Sequence, residues 1–87
     1  MVDYESALAL AELSQEEVDV IARHEHLHAT AALELGSYLC TTPSGERALK
    51  QMIVDELNGF RERGDTLGAA RLRLVLKHFV ETHPRAA

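Results

Sequence analysis

Apolar positions recur at helical spacing along nearly all of this chain. On a wheel turning about 100° per residue, the segment 15–40 gathers Val18, Ile21, Ala29, Ala32, Leu35 and Leu39 on one stripe. Asp19, Arg23, His26, Thr30 and Glu34 fall opposite and form its wet face. A second segment, 43–63, aligns Leu49, Met52, Ile53 and Phe60, and a third, 66–82, aligns Leu72, Val75, Leu76, Phe79 and Val80. No stretch alternates apolar and polar residues with the period of two that a half-buried strand requires. Tyr4, Leu8 and Ala11 are also helically spaced, so 1–12 is expected to be a short further helix or a frayed end.

The punctuation between these segments agrees with the periodicity. Ser14 and Glu17 together read as a capping box, and Leu13 can staple onto Val18. Thr42-Pro43-Ser44-Gly45 stops one helix and starts the next, with Pro43 suited to a first turn. Gly64 suits a helix C-terminus, Asp65 caps the last helix, and His83-Pro84 ends it. The expected fold is all-α: a small antiparallel bundle of three main helices, about 15–40, 43–63 and 66–82, with an N-terminal helical extension. One domain is expected to span 1–87.

Composition narrows the function more than the fold. With 87 residues, 46% hydrophobic and 26% charged, the chain can bury roughly 60–65% of its unfolded surface in one core without a metal or disulfide. No apolar run approaches the roughly 18 residues a membrane span needs, and Asp3 and Glu5 stand where a signal peptide would carry lysines. The lone Cys40 cannot form an internal disulfide, so a reducing cytoplasm is the expected compartment. A net charge of −5 argues against nucleic acid as partner.

That charge is unevenly spread. Residues 1–60 carry −8 and residues 61–87 carry +3, the basic segment being Arg61, Arg63, Arg71, Arg73 and Lys77. It is either an ordinary solvated helix face or a docking surface for an acidic partner, including the acidic half of a second copy.

Against this background a few polar residues stand where the pattern calls for hydrocarbon. Glu25 and His28 fall inside the stripe of the first long helix, His24 on its flank, and Glu56 in the middle of the second stripe. An unpaired buried carboxylate costs several kcal/mol, so these groups should be paired, metal-bound or less buried than the wheel implies. In a first reading Glu25 and His28, at i,i+3, form a hydrogen-bonded network with Glu56 that sets helix register or lines a dimer seam. In a second, Glu25-x-x-His28 aims a carboxylate and an imidazole at one point between helices. With Glu56 as bridging carboxylate it resembles the ferritin-like di-iron proteins, and a two-fold dimer would supply the second half-site. In a third, His24-Glu25-His26-Leu27-His28 resembles the H-E-x-x-H helix of zincin metallopeptidases. That resemblance implies zinc held by His24 and His28, with Glu25 as general base and Glu56 as third ligand. No cofactor is expected on the first reading; iron or zinc is implied by the others. Peptidase activity is not expected, because zincins align substrate on a strand and this chain offers none.

The remaining candidates are simpler. Cys40 reads as a small apolar core group, His78 as a surface residue, and His83 as a helix-end imidazole suited to the dipole. Phosphate loops, nucleophile elbows and Cys-x-x-Cys pairs are absent from the sequence. Two secondary apolar stripes remain: Leu67, Ala70 and Leu74, and Val20, Leu27, Ala31 and Tyr38. Three helices cannot cover both, so a homodimer or another protein partner is expected, with Leu67, Leu74, Leu27 and Tyr38 at the interface.

The run His24-Glu25-His26-Leu27, then Glu34-Leu35-Gly36, Gly45 and the stretch from Phe79 to Pro84, resembles a set of short uncharacterised helical proteins from proteobacteria. That resemblance implies no activity. The expected function is a small cytoplasmic interaction or regulatory module, homodimeric and not an enzyme. The alternative is a metal-binding helical protein using Glu25, His28 and Glu56, with His24.

Overall fold

The computed structural model describes residues 3–86, and within them every regular element is a helix. In chain order these are α1 (Tyr4–Ala11), α2 (Gln15–Glu25), α3 (Ala29–Leu39), α4 (Pro43–Glu62) and α5 (Thr66–Thr82), closed by a single 3-10 turn, Pro84–Ala86. The N-terminal extension is α1, capped by Asp3, whose carboxylate accepts from the Ser6 amide at 2.8 Å. The limits of α4 and α5 agree closely with the sequence signals. Thr42 Oγ1 accepts from the Gly45 amide at 3.0 Å with Pro43 in the first turn. Asp65 accepts from the Gly68 amide at 2.8 Å, one residue after Gly64 turns with φ 74°.

The first long helix does not exist as one piece. Residues 15–40 are two helices, α2 and α3, separated at His26-Leu27-His28. His26 takes the left-handed conformation (φ 57°), the Leu27 amide donates back to the Ala22 carbonyl at 2.9 Å, and His28 becomes the N-cap of α3. The break serves packing. A straight helix over 15–40 would run roughly 39 Å, nearly the whole 42 Å length of the fold, and could not bring its second half back onto its first. Doubling back lays α3 against α2 so closely that a Cβ on Gly36 would stand 2.8 Å from both Ile21 Cδ1 and Leu13 Cδ1.

The break also re-phases the burial. Val20, placed on a secondary stripe by the wheel, is a core residue, while Ala29, placed in the core, is exposed. Leu27 is half-buried against the core, and Leu35 and Leu39 only partly covered. The core itself is one continuous cluster, with Val18, Val20 and Ile21 of α2, Leu49 and Ile53 of α4, and Leu72 and Phe79 of α5 at its centre. α4 and α5 pack together most extensively. Two glycines of α4 and α5 permit close approach. A Cβ on Gly45 would fall 1.9 Å from the Leu39 carbonyl oxygen, and one on Gly68 would fall 2.6 Å from Phe60 Cδ1.

Candidate functional site

The break in the first helix dissolves the constellation that the wheel assembles. Glu25 is the last residue of α2 and His28 caps α3, so the i,i+3 geometry that would aim them at one point is lost. His28 is exposed and its Nδ1 accepts from the Ala31 amide at 3.4 Å. Glu25 is exposed and bonds His24. Glu56, half-buried, accepts from Arg23 Nε at 3.2 Å. Glu25, His28 and Glu56 thus have three different partners. No three His, Cys, Asp or Glu side chains among the described residues form a group able to hold a metal ion. The H-E-x-x-H pentad likewise spans a helix end and a left-handed residue, so it presents no continuous helix face.

In its place is a surface network joining the end of α2 to the middle of α4. His24 stands between two carboxylates, with Nδ1 2.6 Å from Glu25 Oε2 and Nε2 3.1 Å from Asp55 Oδ2. Carboxylates only accept, so engaging both requires the imidazolium form. The bond to Glu25, reinforced by Asp55, raises the His24 pKa against the opposing effect of burial. Gln51 donates to Asp55 at 2.9 Å and, with His24, holds that carboxyl below its ordinary range. Arg23 also approaches the Phe60 ring, its Cζ 6.0 Å from the centroid, and Arg63 Cζ lies 4.7 Å from the same ring. This network clamps α2 to α4; the two ring nitrogens of His24 engage different acids and do not converge on a common ligand.

Three polar side chains that sequence reasoning did not place inside are buried: Glu17, Glu46 and His83. Glu17 closes the predicted capping box, accepting from the Ser14 amide at 2.8 Å through Oε1 while Oε2 is unpartnered, and burial pushes its pKa up. Glu46 Oε2 accepts from the Arg85 guanidinium, which also donates to the Cys40 carbonyl at 3.2 Å. His83 ends α5 as expected, but it is buried and stacks on Phe79 with ring centroids 4.3 Å apart. The signal was faint but present. Glu46 lies three residues before Leu49 and seven before Ile53, in phase with the buried stripe of α4, and His83 lies four after Phe79. Cys40 is half-buried among these groups, and burial pushes its thiol pKa up to about 11, so it is no nucleophile.

Elsewhere on the surface, α5 presents Leu67 and Leu74, 71% and 69% exposed and seven residues apart. Ala70 and Arg71 lie between them, both exposed. Leu67 and Arg71 border a groove of about 250 Å³ between α2 and α5 whose far rim carries Glu16 and Asp19 and whose floor is Val20, Leu72 and Val75. Tyr38, also expected at an interface, is exposed on α3.

Comparison with protein-family models, with curated proteins and with solved structures finds no match to this chain. Among the described residues no helix is long and apolar enough to cross a membrane.

Proposed function

We propose that this chain is a small non-enzymatic helical interaction module that pairs with a second copy of itself through the α2–α5 face. The observation that carries the reading is the pair of leucines, Leu67 and Leu74, exposed at heptad spacing on α5 beside an apolar-floored groove. Residues seven apart lie on one side of a helix, which is the pattern of a seam awaiting another helix. The rims supply orientation. Glu16 and Asp19 on one side and Arg71 on the other are self-complementary across a two-fold axis, where the acidic rim of each copy meets the basic rim of its partner. Burying one leucine contributes about 1.5–3 kcal/mol. Four leucines per dimer contribute about 6–12 kcal/mol against association costs of about 4–15 kcal/mol, so the expected dimer is weak and reversible, micromolar at its tightest. A reducing cytoplasm fits the free thiol of Cys40.

Sedimentation equilibrium of tag-free protein from about 1 to 100 μM, a span that brackets micromolar affinity, tests the reading. Wild type is expected to shift from monomer to dimer across that range, while L67E/L74E stays monomeric with unchanged helicity. A wild-type monomer throughout, or an L67E/L74E variant that still dimerises, would sink the reading.

A further inference from the structure

We infer that the cleft where the ends of α1, α3 and α5 meet the start of α4 binds a small organic cation, an amine or guanidinium on a short hydrocarbon stem. The cleft measures about 500 Å³, within the range of small-molecule sites. It shares no lining residue with the α2–α5 groove.

Two of its lining side chains are almost wholly buried, Glu46 at 2% exposure and His83 at 5%, and each keeps one polar atom without a partner, Oε1 and Nε2. Both atoms are acceptors. For Glu46 that follows from its carboxylate, which has room for roughly four hydrogen bonds and receives only the Arg85 guanidinium, on Oε2. For His83 the tautomer follows from its neighbours. Nδ1 lies 3.2 Å from the Phe79 carbonyl, which can only accept, so the tautomer with its hydrogen on Nδ1 fits that contact and presents a lone pair at Nε2. Thr82 Oγ1, 2.9 Å from Nδ1, donates its own hydrogen to the His78 carbonyl at 2.9 Å and so does not alter that assignment.

A ligand for this site must therefore bring N–H donors in number and no acceptor of its own. Charge points the same way. Of the charged side chains on the walls, Glu12 and Glu46 are acids and Arg85 is the one base, an excess of one negative charge that a monocation would neutralise. Leu10, Ala11 and Pro84 supply an apolar wall for the stem. An anion would meet the excess charge and the two acceptors, and a neutral apolar molecule would leave them bare. The chain itself supplies a guanidinium of this kind: Arg85, its side chain half exposed in the last turn, reaches in to Glu46 and the Cys40 carbonyl. Arg85 keeps Oε2 while the external cation takes Oε1 and Nε2, so the two share the Glu46 carboxylate.

Isothermal titration and amide-shift mapping on the full chain, with n-propylguanidine against its neutral isostere n-propylurea, test this. The guanidine is expected to produce saturable shifts at Ser37, Cys40, Thr82 and His83. The urea should bind roughly tenfold more weakly or worse, because it carries no charge for Glu46. R85A should bind the guanidine more tightly than wild type, because the excess negative charge of the walls rises from one to two, and E46Q should bind it roughly tenfold more weakly. If E46Q does not fold, the guanidine–urea comparison on wild type and R85A decides. The inference is overturned by the absence of saturable shifts up to about 20 mM, generous even for a fragment this small. Equal binding of the urea, shifts centred on His24 and Asp55 instead, or an R85A variant that binds no more tightly would overturn it equally.

Discussion

Replacing Gly45 by alanine should test the packing that holds α3 against α4 and shapes the cleft between them. The added methyl would sit 1.9 Å from the Leu39 carbonyl oxygen, 2.7 Å from its carbonyl carbon and 2.8 Å from its Cα. A carbon–oxygen contact settles at about 3.3 Å or more, so the C-terminus of α3 and the first turn of α4 must part by more than an ångström. Backbone cannot rotate away as a side-chain tip can. Overpacking of this kind costs about 1–3 kcal/mol and sometimes more. Alanine in a helix returns about 0.5–1 kcal/mol of the conformational entropy that glycine loses. With a backbone clash this severe the net should be a loss of about 2 kcal/mol, which lowers the melting temperature of a domain this size by roughly 8–16 °C. Gly59, in the same helix, is the internal control. A Cβ there meets only Arg63 Nη1, at an ordinary 3.4 Å. G59A should therefore gain about 0.5–1 kcal/mol. Thermal and urea unfolding measured by circular dichroism read both. A G45A variant as stable as wild type, or two variants that shift in the same direction, would refute this account of the α3–α4 contact.

Further predictions bear on the loops and the polar network. His26 holds a left-handed conformation at φ 57° that costs a non-glycine residue about 1 kcal/mol, so H26G should raise stability by about 0.5–1 kcal/mol in the same unfolding assay; a loss would show that the His26 side chain matters more than its backbone. Ser14 Oγ accepts from the Glu17 amide at 3.2 Å, and S14A should cost about 1 kcal/mol by urea denaturation, whereas no change would remove the capping box from the account. Stability should fall as pH rises from about 5 to 8. The His24 pKa is raised above 6.5, so its contribution is whole below that value and is lost as pH climbs through the higher native value. Glu17 is raised above 4.5 by burial and acts in the same sense. Asp55 and Asp3 are lowered below 3.8, so their contribution is present above that value and lost only as pH falls through the native values. Urea midpoints for wild type and H24Q at successive pH values check this: H24Q should flatten the decline above pH 6.5, and parallel profiles would exclude His24 as its cause.

The helical character of this chain, and the places where α4 and α5 begin and end, were legible in the sequence because they rest on local chemistry. An apolar residue every third or fourth position, Ser14 three before Glu17, Thr42 ahead of Pro43, and Asp65 after Gly64 all act within one helical turn. The break at His26-Leu27-His28 was not legible. No glycine or proline marks it, and a histidine in the left-handed region is tolerated only because α3 then folds back onto Ile21 and Leu13. Once the phase slips there, residues assigned to one wheel belong to two. Glu25, His28 and Glu56 part company, Val20 turns inward, and Ala29 turns out. Burial of Glu46 and His83 was decided at the same level. Each lies in phase with an apolar stripe but reads as a helix-end residue until Arg85 comes back against the start of α4, 39 positions from Glu46 in sequence. Local pattern determines which residues can form a helix and where it can be capped; only the contacts made after collapse decide which way each face looks and which charges share a cleft.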